Sequence, residues 1–158
     1  MNSSLWDLAG VDGLAVAKQL FGEEVGHLGP FQSLETVLED KDCSVLRLCD
    51  LNFRISYPGP LHQLVDPIQA NIWLNQFDWL SRLYPPINLL SQIISQATVR
   101  PPHRLDIIPN HHAVPAQLHD IPLLIWQHPI QKQRGLELHL ACQDRERLAS
   151  KFDKNHPL

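Results

Sequence analysis

Residues 66–84, "DPIQANIWLNQFDWLSRLY", carry the strongest pattern in the sequence. Asp66 is a suitable N-cap, and Pro67 suits the first helical position, where its missing N–H costs nothing. At 100° per residue the apolar side chains form two stripes, with one narrow polar stripe between them. The stretch therefore predicts an amphipathic helix with a wide apolar arc.

A second helix is predicted directly after the first. The "YPP" at 84–86 ends the first helix, because proline disfavours α geometry in the residue before it. The following segment, 87–97, repeats its apolar residues at helical spacing and is stopped by "VRPP". Together the two segments predict a helical hairpin over about 66–97.

The rest of the chain alternates between helical and strand-like patterns. Asp12 precedes a helical pattern, "LETVLED" at 34–40 predicts a shorter helix, and another helix is expected near 144–152. Strict alternation over 51–57 and short apolar runs after residue 105 predict strands. In the last strand the leucines of "LELHLA" are expected to point inward, which leaves Glu137 and His139 outside. The predicted fold is α+β: a small, mainly antiparallel sheet with the helical hairpin and flanking N- and C-terminal helices.

Composition narrows the functional classes. The 158 residues are 44% hydrophobic and 19% charged, with a formal net charge of -4 and no basic run that could follow a phosphate backbone. We expect one globular domain over 1–158, no internal repeat, no nucleic-acid partner and no membrane insertion, since no apolar stretch approaches about 20 residues. The three cysteines lack CxxC spacing. A cytoplasmic protein of bacterial type is expected.

One segment is a candidate metal site. "IIPNHHAVPAQLHD", 107–120, places three imidazoles and a carboxylate within ten residues, and His112, His119 and Asp120 are its predicted ligands for zinc or another transition metal. Neighbouring side chains of an extended segment point to opposite faces, so these ligands converge only if the segment folds back. The alternative is a proline-stiffened connector with no cofactor.

The aromatic residues of 66–84 support the preferred functional hypothesis. Tryptophan, tyrosine and arginine dominate protein interfaces, and the candidate partner-binding residues are Trp73, Phe77, Trp79, Arg82 and Tyr84. The sequence contains no GxSxG elbow, phosphate-binding glycine loop or dinucleotide motif. We therefore expect a non-catalytic protein-binding module, such as an adaptor, assembly factor or complex subunit, that uses the apolar and aromatic surface of the helical hairpin 66–97. Its partner is expected to be another protein or a second copy. The competing hypothesis is a metal-dependent hydrolase that uses 111–120.

Overall fold

A computed structural model describes residues 3–155, with side chains described as far as residue 152. Contacts divide the chain into two compact units, Met1–Asp78 and Trp79–Leu158, each of which is described by itself. The single domain predicted over 1–158 stays a prediction.

The first unit is an antiparallel sheet with a helix packed on one face. In chain order its elements are β1 (Ser4–Ala9), α1 (Gly13–Phe21), β2 (Gln32–Leu38), β3 (Lys41–Cys49), β4 (Asn52–Tyr57), α2 (Leu61–Val65) and β5 (Trp73–Gln76), with 3-10 turns at Glu23–His27 and Asp66–Ile68. The strand order is β5-β1-β4-β3-β2. Alternate residues of β1 and β4 enter the core, where Val16, Ala17 and Phe21 of α1 cover them.

The second unit has a related arrangement. Its elements are β6 (Leu80–Leu83), α3 (Leu90–Gln96), β7 (Ala97–Thr98), β8 (His112–Leu118), β9 (Ile121–Ile130), β10 (Gln133–Ala141) and α4 (Arg145–Asn155), with 3-10 turns at Ile87–Leu89 and Cys142–Asp144. The strand order is β6-β10-β9-β8, and β7 pairs with β8. Leu136, Leu138 and Leu140 face a core that includes Ile93 of α3 and Leu148 of α4.

The two units repeat one topology, which sequence inspection did not reveal. The hairpin β2–β3 pairs Gln32 with Arg47 and Leu38 with Lys41, and the hairpin β8–β9 pairs the residues 80 positions later, from His112 with Gln127 to Leu118 with Ile121. Both hairpins turn through two residues of positive φ, Glu39-Asp40 and His119-Asp120. Such turns match the twist of the strands that they join. The prediction of no internal repeat was wrong at the level of structure.

A side-chain hydrogen bond is repeated with the same offset. Arg47 Nη1 donates to the carbonyl oxygen of Leu28 at 2.8 Å. With its side-chain amide oriented to satisfy its neighbours, Gln127 donates to the carbonyl oxygen of Ile108, also at 2.8 Å. In each unit a long polar side chain of the second hairpin strand thus fixes the segment that leads into the first. The amide of Gln127 and the guanidinium of Arg47 make equivalent hydrogen bonds. Different residues can therefore hold equivalent positions, and the structural repeat has little sequence identity.

The helical hairpin predicted over 66–97 is wrong. Residues 73–76 form β5, residues 80–83 form β6, and only Leu90–Gln96 of the second arm is α-helical. The apolar residues of this region fit the helical period and also the two-residue period of a strand. In the strands, Leu74 packs against the first core and Leu83 against the second. As strands they also gain ladder hydrogen bonds from β1 and β10. Tertiary pairing therefore outweighs helical propensity.

One smaller expectation also fails. "LETVLED" lies in β2 and its turn rather than in a helix, whereas the helix predicted after Asp12 forms as α1 and follows the strand β1. The sheet is far larger than the small sheet expected, because ten of the described elements are strands. In residues 3–155 no helix combines the length and apolar character needed to cross a membrane.

Candidate protein-binding surface and a buried charge cluster

Three of the five predicted anchor residues are exposed aromatics. Trp73 on β5 is 73% exposed, Trp79 just before β6 is 58% exposed, and Tyr84 just after β6 is 42% exposed. Trp73 belongs to the first unit, and the other two belong to the second. β5 and β6 are each the edge strand of their own unit. The aromatic side chains are therefore presented at sheet edges rather than on a helix.

The other two predicted anchors are engaged inside their units. The guanidinium of Arg54 lies 5.0 Å from the ring centroid of Phe77, and the Phe77 amide donates to Leu5 at 2.8 Å. Arg82 Nε donates to Glu137 Oε1 at 2.5 Å. Phe77 and Arg82 therefore hold β5 and β6 in place, and the exposed contact area comes from Trp73, Trp79 and Tyr84.

Glu137 is the centre of a buried charge cluster in the second unit. His139 Nε2 donates to the same oxygen as Arg82, at 2.6 Å, and His128 Nε2 donates to Oε2 at 2.8 Å. Glu137 is fully buried, His128 and His139 are nearly so, and the side chain of Arg82 is 13% exposed. Both carboxylate oxygens are thus occupied by donors from three strands, because His128 lies on β9, Glu137 and His139 on β10, and Arg82 on β6.

Electrostatics keep this carboxylate ionised. Burial alone would raise the pKa of Glu137, but interaction with His139, hydrogen bonds from His128 and His139, and the charge of Arg82 together hold the pKa well below its usual range. The same cluster acts on Tyr84, whose pKa rises to about 12 through burial and the charge of Glu137, against an opposing effect of Arg82. Tyr84 therefore presents a neutral hydroxyl at physiological pH.

Trp126 lines the cluster. Its ring stacks on the His128 imidazole with centroids 3.7 Å apart, and His139 meets it edge-on at 5.7 Å. Across neighbouring strands, Trp126 pairs with Glu137 and Arg82 pairs with His139. Glu137 and His139 are two residues apart on β10, so all of these side chains lie on one face of the sheet. The carboxylate is saturated by cationic and imidazole donors, so the arrangement fixes the register of β6 and is poorly suited to acid–base catalysis.

The predicted metal ligands do not come together within the hairpin that carries them. His112 begins β8, where its Nδ1 lies 3.0 Å from the Asn110 carbonyl, and His119 and Asp120 form the turn at the other end. His112 and His119 are seven positions apart along an extended strand, a span of roughly 20 Å. Among the residues that the structure describes, no group of three His, Cys, Asp or Glu side chains could hold a metal ion.

A reactive Cys43 thiol and a Cys142–His139 pair are two possible nucleophiles, and the structure supports neither. Burial, and then the charge of Glu35, raise the pKa of the Cys43 thiol, which makes it unreactive. Cys142 Sγ accepts a hydrogen bond from the Ser81 hydroxyl at 3.3 Å, whereas His139 Nε2 is directed at Glu137. The structure therefore does not pair Cys142 with His139.

The charge cluster was missed because Glu137 and His139 were expected to face solvent. One signal could have indicated it: β9, "IPLLIWQHPI", is apolar at consecutive positions, which is typical of a strand buried on both faces. A strand paired with such a strand has no solvent face for its polar residues. The alternating Glu137 and His139, opposite Trp126 and beside His128, would then have predicted a buried polar network.

Comparison with known proteins identifies a fold but no family. No family model matches the sequence, and no curated protein matches it either. Aminomethyltransferase T of the glycine cleavage system from Bartonella henselae superposes with a TM-score of 0.71 at 13% identity, over 96% of this chain and 43% of that one. A chain of the heterotetrameric sarcosine oxidase from Corynebacterium sp. U-96 gives 0.61 at 16% identity, over 92% of this chain and 74% of that one.

At such identities the likeness shows the fold alone. The present chain spans less than half the length of the aminomethyltransferase and about three quarters of the matched oxidase chain. The aminomethyltransferase-like fold of ten described strands is what replaces the predicted small sheet with a helical hairpin.

Proposed function

We propose that this protein is a non-catalytic, cytoplasmic protein-binding subunit of a larger complex, and that it contacts its partner through Trp73, Trp79 and Tyr84. The exposure of these three aromatic side chains carries the proposal. Large aromatic residues at 42–73% exposure lose apolar hydration when a partner covers them, and they dominate measured binding energies.

The chemistry of the interior and the comparisons support the same proposal. The described titratable cluster, centred on Glu137, is buried and saturated with hydrogen bonds. One of the matched solved chains belongs to an assembly of four chains and is only modestly longer than this protein. A short chain of this fold can thus serve within an enzyme complex, and we extend that role to the present chain.

The proposal is tested by expressing affinity-tagged chain in its own cells and measuring the partner that it retains. For Trp79→Ser and Tyr84→Ser we expect at least a tenfold weaker association, because loss of an interface hot spot costs about 2 kcal/mol or more. The measurement is the stoichiometry of the recovered complex by native mass spectrometry, followed by titration of the purified partner.

Val37→Ser is the matched control, because Val37 is also a large apolar residue, 60% exposed, and carries no proposed contact. It should leave the association unchanged. If the aromatic variants and the control bind the partner equally well, or if wild-type chain retains no partner at fixed stoichiometry, the proposed function is wrong.

A further inference from the structure

Strand β5 has an outward-facing backbone edge. The Phe77 amide donates to the Leu5 carbonyl, and the register pairs Asp7 with Asn75 and Ala9 with Trp73. In an antiparallel ladder every second residue bonds to the neighbouring strand. Trp73 and Asn75 therefore bond to β1, while the backbone N–H and C=O groups of Leu74 and Gln76 point away from it. In the first unit, β1 is the neighbour with which β5 is paired.

Apart from its short length of four residues, this edge lacks the devices that usually protect a sheet edge. Residues 73–76, "WLNQ", include no charged residue and no proline, and their register with β1 has no bulge. The strand is also held in an extended form before any partner arrives. The Asn71 amide donates to Asp12 Oδ2 at 2.7 Å, and the Asp12 amide donates to the Asn71 carbonyl at 3.3 Å. Binding of an added strand would therefore cost little conformational entropy in β5.

A cavity opens beside the start of this edge. Its volume is about 390 Å³, and its mainly apolar wall is formed by Ala9, Gly10, Ala70, Asn71, Ile72 and Trp73. Strand addition elsewhere combines main-chain hydrogen bonds for affinity with a pocket that receives alternate side chains. The β5 edge and the Trp73 cavity lie next to each other, so one extended segment can use both.

We propose that β5 binds an extended segment of a partner protein as an added strand, with one apolar side chain of that segment seated in the cavity beside Trp73. The segment pairs with the outward-facing backbone groups of Leu74 and Gln76, and an uncharged segment suits the neutral edge. This inference rests on the proposed protein-binding function and specifies the class of ligand for β5.

The test uses peptides selected against the purified full chain from a phage-displayed library of random decapeptides. We expect the enriched peptides to contain an alternating apolar pattern and to slow amide hydrogen exchange of Leu74 and Gln76 at least tenfold. The amide of Asn75, which is already bonded to β1, should not change. Leu74→Pro and Leu74→Ala both lose the leucine side chain that packs against the first core, but only the proline also removes the outward N–H. Leu74→Pro should therefore bind the peptides at least tenfold more weakly than Leu74→Ala.

Three results would overturn the inference: no enriched peptide, an enriched peptide that protects amides elsewhere, or equal affinity for Leu74→Pro and Leu74→Ala. Concentration-dependent protection of Leu74 and Gln76 in the chain alone would assign the edge to a second copy and would overturn it as well. The proposed function fails separately. If the native complex forms with Leu74→Pro but not with Trp79→Ser, the proposed function is supported and only the inference about β5 is wrong.

Discussion

Replacement of Glu137 by glutamine is expected to lower the free energy of unfolding by about 3 kcal/mol, because removal of one member of a buried ion pair leaves the other without its counter-charge. Arg82, His128 and His139 all donate to this carboxylate, and the site is nearly inaccessible to water. Urea unfolding followed by circular dichroism at pH 7 measures the effect. Glu146→Gln on the exposed face of α4 is the control and should change stability by less than about 0.5 kcal/mol.

The dependence of the unfolding free energy on pH distinguishes the effect of the Glu137 charge from the effect of the shape of its side chain. The folded pKa of Glu137 lies well below the ordinary value of 4.5, so its stabilisation is complete above that pH and is lost as the pH falls through the folded pKa. The difference in unfolding free energy between wild type and Glu137→Gln is therefore compared between about pH 5 and pH 3, the range in which carboxylates titrate. As the pH falls below 4.5 the difference should shrink. A loss under about 1 kcal/mol at pH 7, or a difference that grows as the pH falls from about 5 to 3, would show that the carboxylate is not stabilised by its donors.

Gly10→Ala is expected to cost about 3 kcal/mol and to detach the start of β5 from β1. Gly10 has φ +130°, and a Cβ there would lie 2.5 Å from the Asn71 carbonyl oxygen and 2.9 Å from the Ile72 Cα. Both contacts are with backbone, so no side chain can move aside. Residues 71–76 must shift, and the amide of Asn75 should lose hydrogen-exchange protection while that of Leu46 in β3 keeps it.

Gly22→Ala is the matched control for Gly10. Gly22 also has positive φ, +100°, but its added Cβ would meet no atom within 4 Å. Its cost should be that of backbone strain alone, about 1 kcal/mol, with protection at Asn75 unchanged. Equal costs at the two glycines would mean that the close approach of Asn71 to Gly10 does not hold β5.

Several elements lie where local patterns placed them. The helical pattern after Asp12, the alternation over 51–57 and the apolar runs of "PLLIW" and "LELHLA" correspond to α1, β4, β9 and β10. In each case one period is clear and the flanking glycine, proline or polar residues agree with it. Local propensity and tertiary environment point to the same structure at these positions.

The region 66–84 could not be assigned in the same way. Its apolar residues satisfy a helical period, and strand pairing with β1 and β10 depends on residues more than 45 positions away in sequence. The surface prediction placed its residues on the helical hairpin, which does not form, and Trp73, Trp79 and Tyr84 are instead exposed on or beside edge strands. Arg82 differs because its partner, Glu137, lies 55 residues away.

Two of the three histidines of 111–120 are explained by backbone geometry. His111 and His119-Asp120 have positive φ, a conformation in which histidine, asparagine and aspartate are enriched, and the first unit places Phe31 and Glu39-Asp40 at the equivalent positions. The sequence alone could not indicate the turn at 119–120 by this comparison, because the equivalent stretch of the first unit, 34–40, was itself predicted to be a helix. The repeat lies in backbone conformation and not in residue type, so the chemically active side chains of 111–120 do not indicate it.

The central claim, that this chain works as a subunit bound to another protein, is tested most directly by the mass of the untagged endogenous chain in a gently prepared extract of its own cells. Size-exclusion chromatography with immunodetection should place it well above its own 18.0 kDa, in a peak that moves to lower mass when Trp79→Ser replaces the wild-type sequence. Elution of the wild-type chain as an 18.0 kDa monomer at cellular concentration would contradict the account.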